Sequence, residues 1–372
     1  MIGRRAQQPV GVEAEFSVSE AVLEAFGVAD AQIELLTGGR TNQTMRVRAG
    51  RDLVLQHMHA GESRDLLGTM ENLVRVTAHL DWKRAIGGRG DSWYPMLVPT
   101  GAGKPFIMTE QGDVWRAFAY RQGQIRRSTQ PLEILTSAAA IYGRFAAETA
   151  DLGGPDLIET APEFHDIDRV HADLHHDLEA SAATVRDTLA QDMTLAEAVK
   201  ARLDARCAAD GLRWSPDRVV HNDTKLSNVL FDNDRARAIA VLDLDLAMMG
   251  PSWHDLGDLV RSASWHAPET VRLDGPAFSP ALFEAIARSY VDAAGDTLSP
   301  ADIVTFAAAG PRLSLELGLR YLNDHIRVEP QLQVAGENGH LLRGRANVKL
   351  ADEMLGAYDA LRHTVDTFVT RR

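Results

Sequence analysis

Hydrophobic and polar positions alternate in short runs through the first third of the chain, the period of half-buried strands. Gln32 to Leu36 predicts a strand, Thr37-Gly38-Gly39-Arg40-Thr41-Asn42 breaks it, and Thr44 to Arg48 resumes. Asp52 to His57 is a further strand. The period then changes: Leu67, Met70, Leu73, Val74 and Leu80 fall at helical spacing and predict a helix over Arg64 to Leu80. Strands return at Met96 to Val98, Phe106 to Thr109 and Val114 to Tyr120, with turns at Gly101-Ala102-Gly103 and Gln111-Gly112-Asp113. Tyr120-Arg121-Gln122-Gly123 is a connector, and from Gln130 onward helical patterns dominate. One exception is a pair of apolar runs, Val229 to Phe231 and Ala238 to Leu242, around the turn-forming Asp232-Asn233-Asp234. That pattern predicts a β-hairpin. The pattern as a whole predicts an α+β chain: a small β-rich N-terminal lobe over 1–122 and a larger, mainly helical C-terminal lobe over 123–372.

The hairpin carries the most informative chemistry. Before it runs His221-Asn222-Asp223-Thr224-Lys225-Leu226-Ser227-Asn228, and Asp243 ends its second strand. The order His-x-Asp-x-Lys-x-x-Asn, then an apolar strand ending in acid, is the set a kinase-like fold uses to hold Mg·ATP and deprotonate an alcohol. Asp223 stands where the catalytic base would stand, and Lys225 can reach the transferred phosphate. Asn228 and Asp243 are oxygen ligands of the kind Mg²⁺ prefers, and the hairpin places them opposite each other at its open end. Asp245 shares a face with Asp243, so it could join the metal or accept a substrate hydroxyl. His221 reads as a brace for the loop. The expected architecture is therefore a bilobal, protein-kinase-like fold.

Composition narrows the partners. The chain has 372 residues, 45% hydrophobic and 24% charged, as in an ordinary globular protein. A net charge of −13 argues against binding a nucleic-acid polymer. A single cysteine, Cys207, suits a reducing cytoplasm. No apolar stretch follows Arg4-Arg5, and no run reaches membrane-spanning length, so neither a signal peptide nor a membrane association is expected. Three other signals fall short. Gly101-Ala102-Gly103-Lys104 lacks the first glycine of a phosphate-binding loop, has Pro105 in place of Ser/Thr, and lies between strands. His171 and His175 are four apart, with His176 adjacent, but no further ligand completes a His-Glu-x-x-His zinc pattern. Trp253 and Trp265 read as core residues rather than as a cage for quaternary ammonium.

These motifs, together with Met70-Glu71-Asn72-Leu73, Trp115-Arg116, Pro162-Glu163-Phe164-His165, Asp255-Leu256-Gly257-Asp258 with Arg261, and Leu315-Glu316-Leu317-Gly318-Leu319-Arg320-Tyr321-Leu322, occur in one order across most of the chain. In them the chain resembles the aminoglycoside phosphotransferase/choline kinase superfamily, most closely its N-acetylhexosamine 1-kinase branch. The resemblance implies ATP and Mg²⁺ as cofactors and a small-molecule hydroxyl as acceptor, a sugar at its anomeric position. It also ranks Asp243 ahead of Asp245 as metal ligand. Gly38 and Gly39 would let backbone approach the phosphates. The strand lysine expected for those phosphates is replaced by Gln56, in Val54-Leu55-Gln56, and Glu71 is the helix carboxylate that would have paired with it. Arg40 replaces a histidine near the acceptor. Glu316 and Arg320, four apart on a helix, form either a structural ion pair or an edge of the acceptor pocket. Asp255 and Asp258, at a helix start, cap or brace the loop. Two rival functions follow: an aminoglycoside or amino-alcohol (choline-type) phosphotransferase, or a nucleotide-binding pseudokinase.

Overall fold

The computed structural model describes residues 18–36, 42–60, 65–88, 90–126, 130–152, 157–214, 217–234, 236–264, 278–327, 332, 334 and 338–371. Gly38, Gly39, Arg40 and Trp265 lie outside them. The chain divides into two compact units, Met1–His59 with Leu97–Tyr120, and Ala60–Met96 with Arg121–Arg372.

The smaller unit holds helix α1 (Glu20–Ala25) and strands β1 (Gln32–Leu35), β2 (Gln43–Arg48), β3 (Asp52–Met58), β4 (Ile107–Met108) and β5 (Val114–Ala119). The strands form one antiparallel sheet in the order β1-β2-β3-β5-β4. Strand alternation turns Leu53 and Leu55 inward, where they pack with Met45, Val47, Trp115 and Ala117 against Val22 and Leu23 from α1 and Phe26 just after it. The strand expected at Met96 to Val98 is only a single bridge, Leu97 to Phe118, because Pro95 and Pro99 remove the backbone donors a longer ladder needs. The sequence offers a turn at Gly101 to Gly103, and the structure forms one there, with Gly103 at φ 74°.

The larger unit is built on helices α2 (Leu66–Ile86), α3 (Leu132–Glu148), α4 (Ile167–Ala180), α5 (Ala183–Ala209), α6 (Trp253–Ala263), α7 (Pro280–Ala294), α8 (Pro300–Ile326), α9 (Gly339–Gly356) and α10 (Tyr358–Thr370). Helix α2 extends past the predicted end at Leu80, since Asp81 to Ala85 are helix-compatible and the first breaker is Gly87-Gly88. Its start is capped by Asp65, whose carboxylate accepts from the Gly68 N–H at 2.9 Å. Short strands complete the unit: β6 (Gln124–Ile125), β7 (Arg218–Val220), β8 (Val229–Phe231), β9 (Ala238–Val241) and β10 (Met248–Gly250). β8 and β9 are the predicted hairpin, extended by β6, and β7 pairs with β10. Helix α8 is the hub, touching α4, α5, α6, α9 and α10. Gly257 is what lets α6 come close: a Cβ there would sit 2.8 Å from the Ala309 carbonyl oxygen on α8. No described helix is long and apolar enough to cross a membrane.

Candidate active site

The loop between β7 and β8 is held by a buried carboxylate. Asp255, in the first turn of α6, accepts the backbone N–H of His221 at 2.9 Å and of Asn222 at 2.9 Å. Its own carbonyl accepts the Thr224 hydroxyl at 2.5 Å. Burial raises the Asp255 carboxyl above its ordinary range, against the pull of His221 and the backbone donors. Asn222 takes a left-handed conformation, φ 63°. Its side chain secures that turn: Nδ2 donates to the Leu246 carbonyl at 3.0 Å, and Oδ1 accepts from His254 Nδ1 at 2.8 Å. Burial, with His165 adding to it, pushes His254 well below the usual imidazole range, which suits a neutral ring donating one proton. His221 is also fixed by its partners. Nε2 faces the Leu242 carbonyl at 2.9 Å, and Nδ1 accepts the Asp223 N–H at 3.3 Å. A carbonyl can only accept, so the ring proton sits on Nε2 and both nitrogens are committed to the backbone. His221 braces the loop.

Asp223 projects from that braced turn. Its Oδ2 accepts from Lys225 Nζ at 2.5 Å and Asn228 Nδ2 at 2.9 Å. Burial alone would raise this carboxyl, but the Lys225 ammonium, its hydrogen bond, His221 and Asn228 outweigh it and hold it below the ordinary value. Burial would lower the Lys225 ammonium, and the acids around it, Asp223, Asp243 and Asp258, raise it instead. Tyr142, fully buried on α3, donates to the Lys225 carbonyl at 3.0 Å, and Asn228 Nδ2 also donates to the Asp223 carbonyl at 3.0 Å. Asp223, Lys225 and Asn228 are thus one hydrogen-bonded cluster with the carboxylate at its centre.

The hairpin brings the last acid in. Leu230 pairs with Ala240 and Phe231 with Ala238, so a bulge lies between them. The Leu242 N–H donates to the Asn228 carbonyl at 2.8 Å, making Leu242 the residue that faces Asn228. Asp243 is therefore one position past direct opposition, a correction to the simple hairpin register. Without the bulge, Asn228 would face Val241, a residue further from Asp243. Asp243 then turns the chain with φ 59°. Asn228 Nδ2 is bound to Asp223, which presents Oδ1 as the donor atom. This amide oxygen and the Asp243 carboxylate are hard oxygen donors, and they fit a Mg²⁺ ion.

A model of the phosphotransferase enzyme family matches residues 32–298, more than half of the chain. The chain belongs to that family. Solved structures agree on the fold of this phosphotransferase. A microcompartment-associated aminopropanol kinase superposes with a TM-score of 0.61 at 18% identity, over 91% of this chain and 97% of its own. An aminoglycoside phosphotransferase from Alicyclobacillus acidocaldarius gives 0.57 at 14% identity, over 98% and 99%. A spectinomycin phosphotransferase, in complex with ADP and spectinomycin, gives 0.57 at 12% identity, over 92% and 97%.

In this phosphotransferase the structure brings Asp223, Lys225, Asn228 and Asp243 together, with Asp245 buried two residues on. Glu316 and Arg320 do pair on α8. Glu316 is 3% exposed and also accepts from His165 Nδ1 at 2.7 Å. The other nitrogen of His165 reaches the Asn222 carbonyl at 3.4 Å. Burial would raise Glu316, and His165 and Arg320 reverse this, holding it far below the carboxylate range. Glu71 is exposed on α2, with no side-chain partner among the described residues. Its neighbour Asn72 is buried instead. Asn72 Nδ2 donates to the Ile158 carbonyl at 2.7 Å and the Ala247 carbonyl at 3.2 Å, and Oδ1 accepts the Ile158 N–H at 2.8 Å. In the smaller unit, Gln56 lies in a row across three strands: Nε2 donates to Thr44 Oγ1 at 3.1 Å, and Oε1 accepts from Arg116 Nε at 2.9 Å. The cation absent from β3 thus stands one strand away, on β5. The matching stretches flagged Asn72, His165 and Arg116 without assigning them roles, because their partners lie 60 to 175 residues away.

Proposed function

We propose that this phosphotransferase transfers the γ-phosphoryl group of ATP to a hydroxyl of a small molecule, and that the acceptor is a sugar. The observation that supports this best is the ionised Asp223 carboxylate, clamped by Lys225 and Asn228 on a loop braced by Asp255. In this reading Asp223 orients the acceptor hydroxyl and takes its proton as the oxygen attacks phosphorus. The bond to the β,γ-bridging oxygen breaks and ADP leaves. Lys225 neutralises charge beside the transferred group. Asn228 and Asp243 would hold Mg²⁺, which supplies positive charge against the phosphates. For anchoring the nucleotide we assign Gln56, with Arg116 as its cation, together with Glu71, Gly38 and Gly39. Arg40, Asp245 and Arg320 are assigned to the acceptor side, with the buried Glu316 holding Arg320 in place there. The sugar rests on the stretches in which the sequence resembles N-acetylhexosamine 1-kinases.

A second reading, an amino-alcohol or aminoglycoside acceptor, has its own support: solved structures named for aminopropanol and spectinomycin share the fold. ADP release measured over N-acetylhexosamines, other hexoses, aminopropanol and spectinomycin decides between them. Turnover expected with an N-acetylhexosamine supports the sugar reading, and turnover only with the amines replaces it. ATP binding with no transfer to any acceptor would identify a pseudokinase.

A further inference from the structure

His171 and His175 lacked a third ligand in the sequence, and the fold supplies one. Spacing of four places both imidazoles on one face of α4. Helix α5 follows after a short break at Ser181-Ala182, and it carries Glu197 to that face. His171 Nε2 lies 2.7 Å and His175 Nε2 lies 2.6 Å from the same oxygen, Glu197 Oε1. The three ligand atoms fall within 4.8 Å of one another, and the ring centroids are 4.5 Å apart.

We propose that His171, His175 and Glu197 form a binding site for one divalent transition-metal cation of the Zn²⁺ type, tying α4 to α5. Oε1 occupies the point on which both Nε2 atoms converge, where a metal bound to both would sit. The Glu197 side chain is 44% exposed, so it is free to draw back by about the ~2 Å of a metal–oxygen bond and serve as the third ligand. Two imidazoles and a carboxylate are a known zinc donor set that keeps a fourth position open. Lys200, one turn on from Glu197, would repel a cation. Its ammonium is committed to Asp168 at 2.6 Å and Asp204 at 2.8 Å, which offset its charge. The nitrogen ligands select against Mg²⁺, which takes oxygen, so this site is chemically distinct from the Asn228–Asp243 pair.

The test is a Zn²⁺ titration of untagged protein in excess Mg²⁺, read by calorimetry and by the thermal unfolding midpoint. One equivalent is expected to bind and to raise the midpoint. His171→Ala and His175→Ala should each weaken that binding at least about tenfold, the loss that even an outer-shell partner of a metal costs, and should abolish the thermal shift. Circular dichroism checks that the variants fold; His175 is 42% exposed, so its loss should leave α4 intact. A second grouping, His57, His59 and Asp113, lies in the smaller unit. Zn²⁺ binding that survives in the His171 and His175 variants but is lost in His59→Ala overturns the proposal, as does no binding at all.

Discussion

Asp223 and Glu316 are both carboxylates held ionised against burial by neighbouring donors, and they differ in where those partners come from. Every side chain that clamps Asp223 lies within five residues of it, and the carboxylate is 23% exposed. Glu316 is 3% exposed, and one of its two partners, His165, lies 151 residues away. A carboxylate that must meet a substrate keeps an open side and takes its support locally. A carboxylate that fixes the relation between distant segments is enclosed. Through His165, Glu316 reaches the backbone of Asn222, the residue before the base. In the proposed mechanism the first acid would react, and the second holds the turn on which the first stands.

That distinction makes opposite demands on substitution. Asp223→Asn keeps the shape and removes the base, so turnover should fall by about 10² to 10⁴-fold while ATP binding and unfolding stay near those of the parent protein. Near-normal turnover would end the contrast at once. Glu316→Gln should do the reverse. It removes a buried charge held by Arg320 and His165, at a cost of about 3 kcal/mol in stability, seen as a lower denaturant midpoint. The sign with pH follows from the lowered carboxyl. A native value below the unfolded one gives stability that is present above about pH 4 and lost as pH falls through the native value. The gap between the parent protein and Glu316→Gln should therefore be full at neutral pH and close only in strong acid. A gap that is flat with pH would deny Glu316 its ionised role.

The same contrast accounts for what the sequence disclosed. The loop from His221 to Asn228 and its hairpin were legible because they are made by neighbours, a hairpin period, a turn and residues at fixed spacing, whereas the bulge that sets Asp243 one place past Asn228 was not. Most strands of the small unit were legible for the same reason, since alternation is local. The Arg116 partner of Gln56 was not, because it depends on which strands pair and in what register. Nor was Glu197 as the third member of the His171–His175 set, which needs the packing of two helices. Asn72 shows the limit most sharply. Only the exposed Glu71 beside it drew a functional reading, while Asn72 joins α2 to segments 86 and 175 residues away.

The smallest expected effect tests the local half of the comparison. If Lys225 and the loop's own hydrogen bonds are what keep Asp223 ionised, the acid limb of kcat/KM reports them. In the parent protein the Asp223 carboxyl lies below its ordinary range, so a limb set by it should fall below about pH 4. Lys225→Met preserves the length of the side chain and deletes its charge. Burial, the largest influence on this carboxyl, then meets less opposition and drives its pKa upward. A higher pKa leaves the base protonated, and idle, at pH values where the parent enzyme works. Rate profiles at saturating ATP should show the limb displaced toward neutrality, beyond any uniform loss from removing a phosphate-neutralising cation. A uniform loss with an unmoved limb would mean that Lys225 serves the phosphate alone and leaves Asp223 untouched.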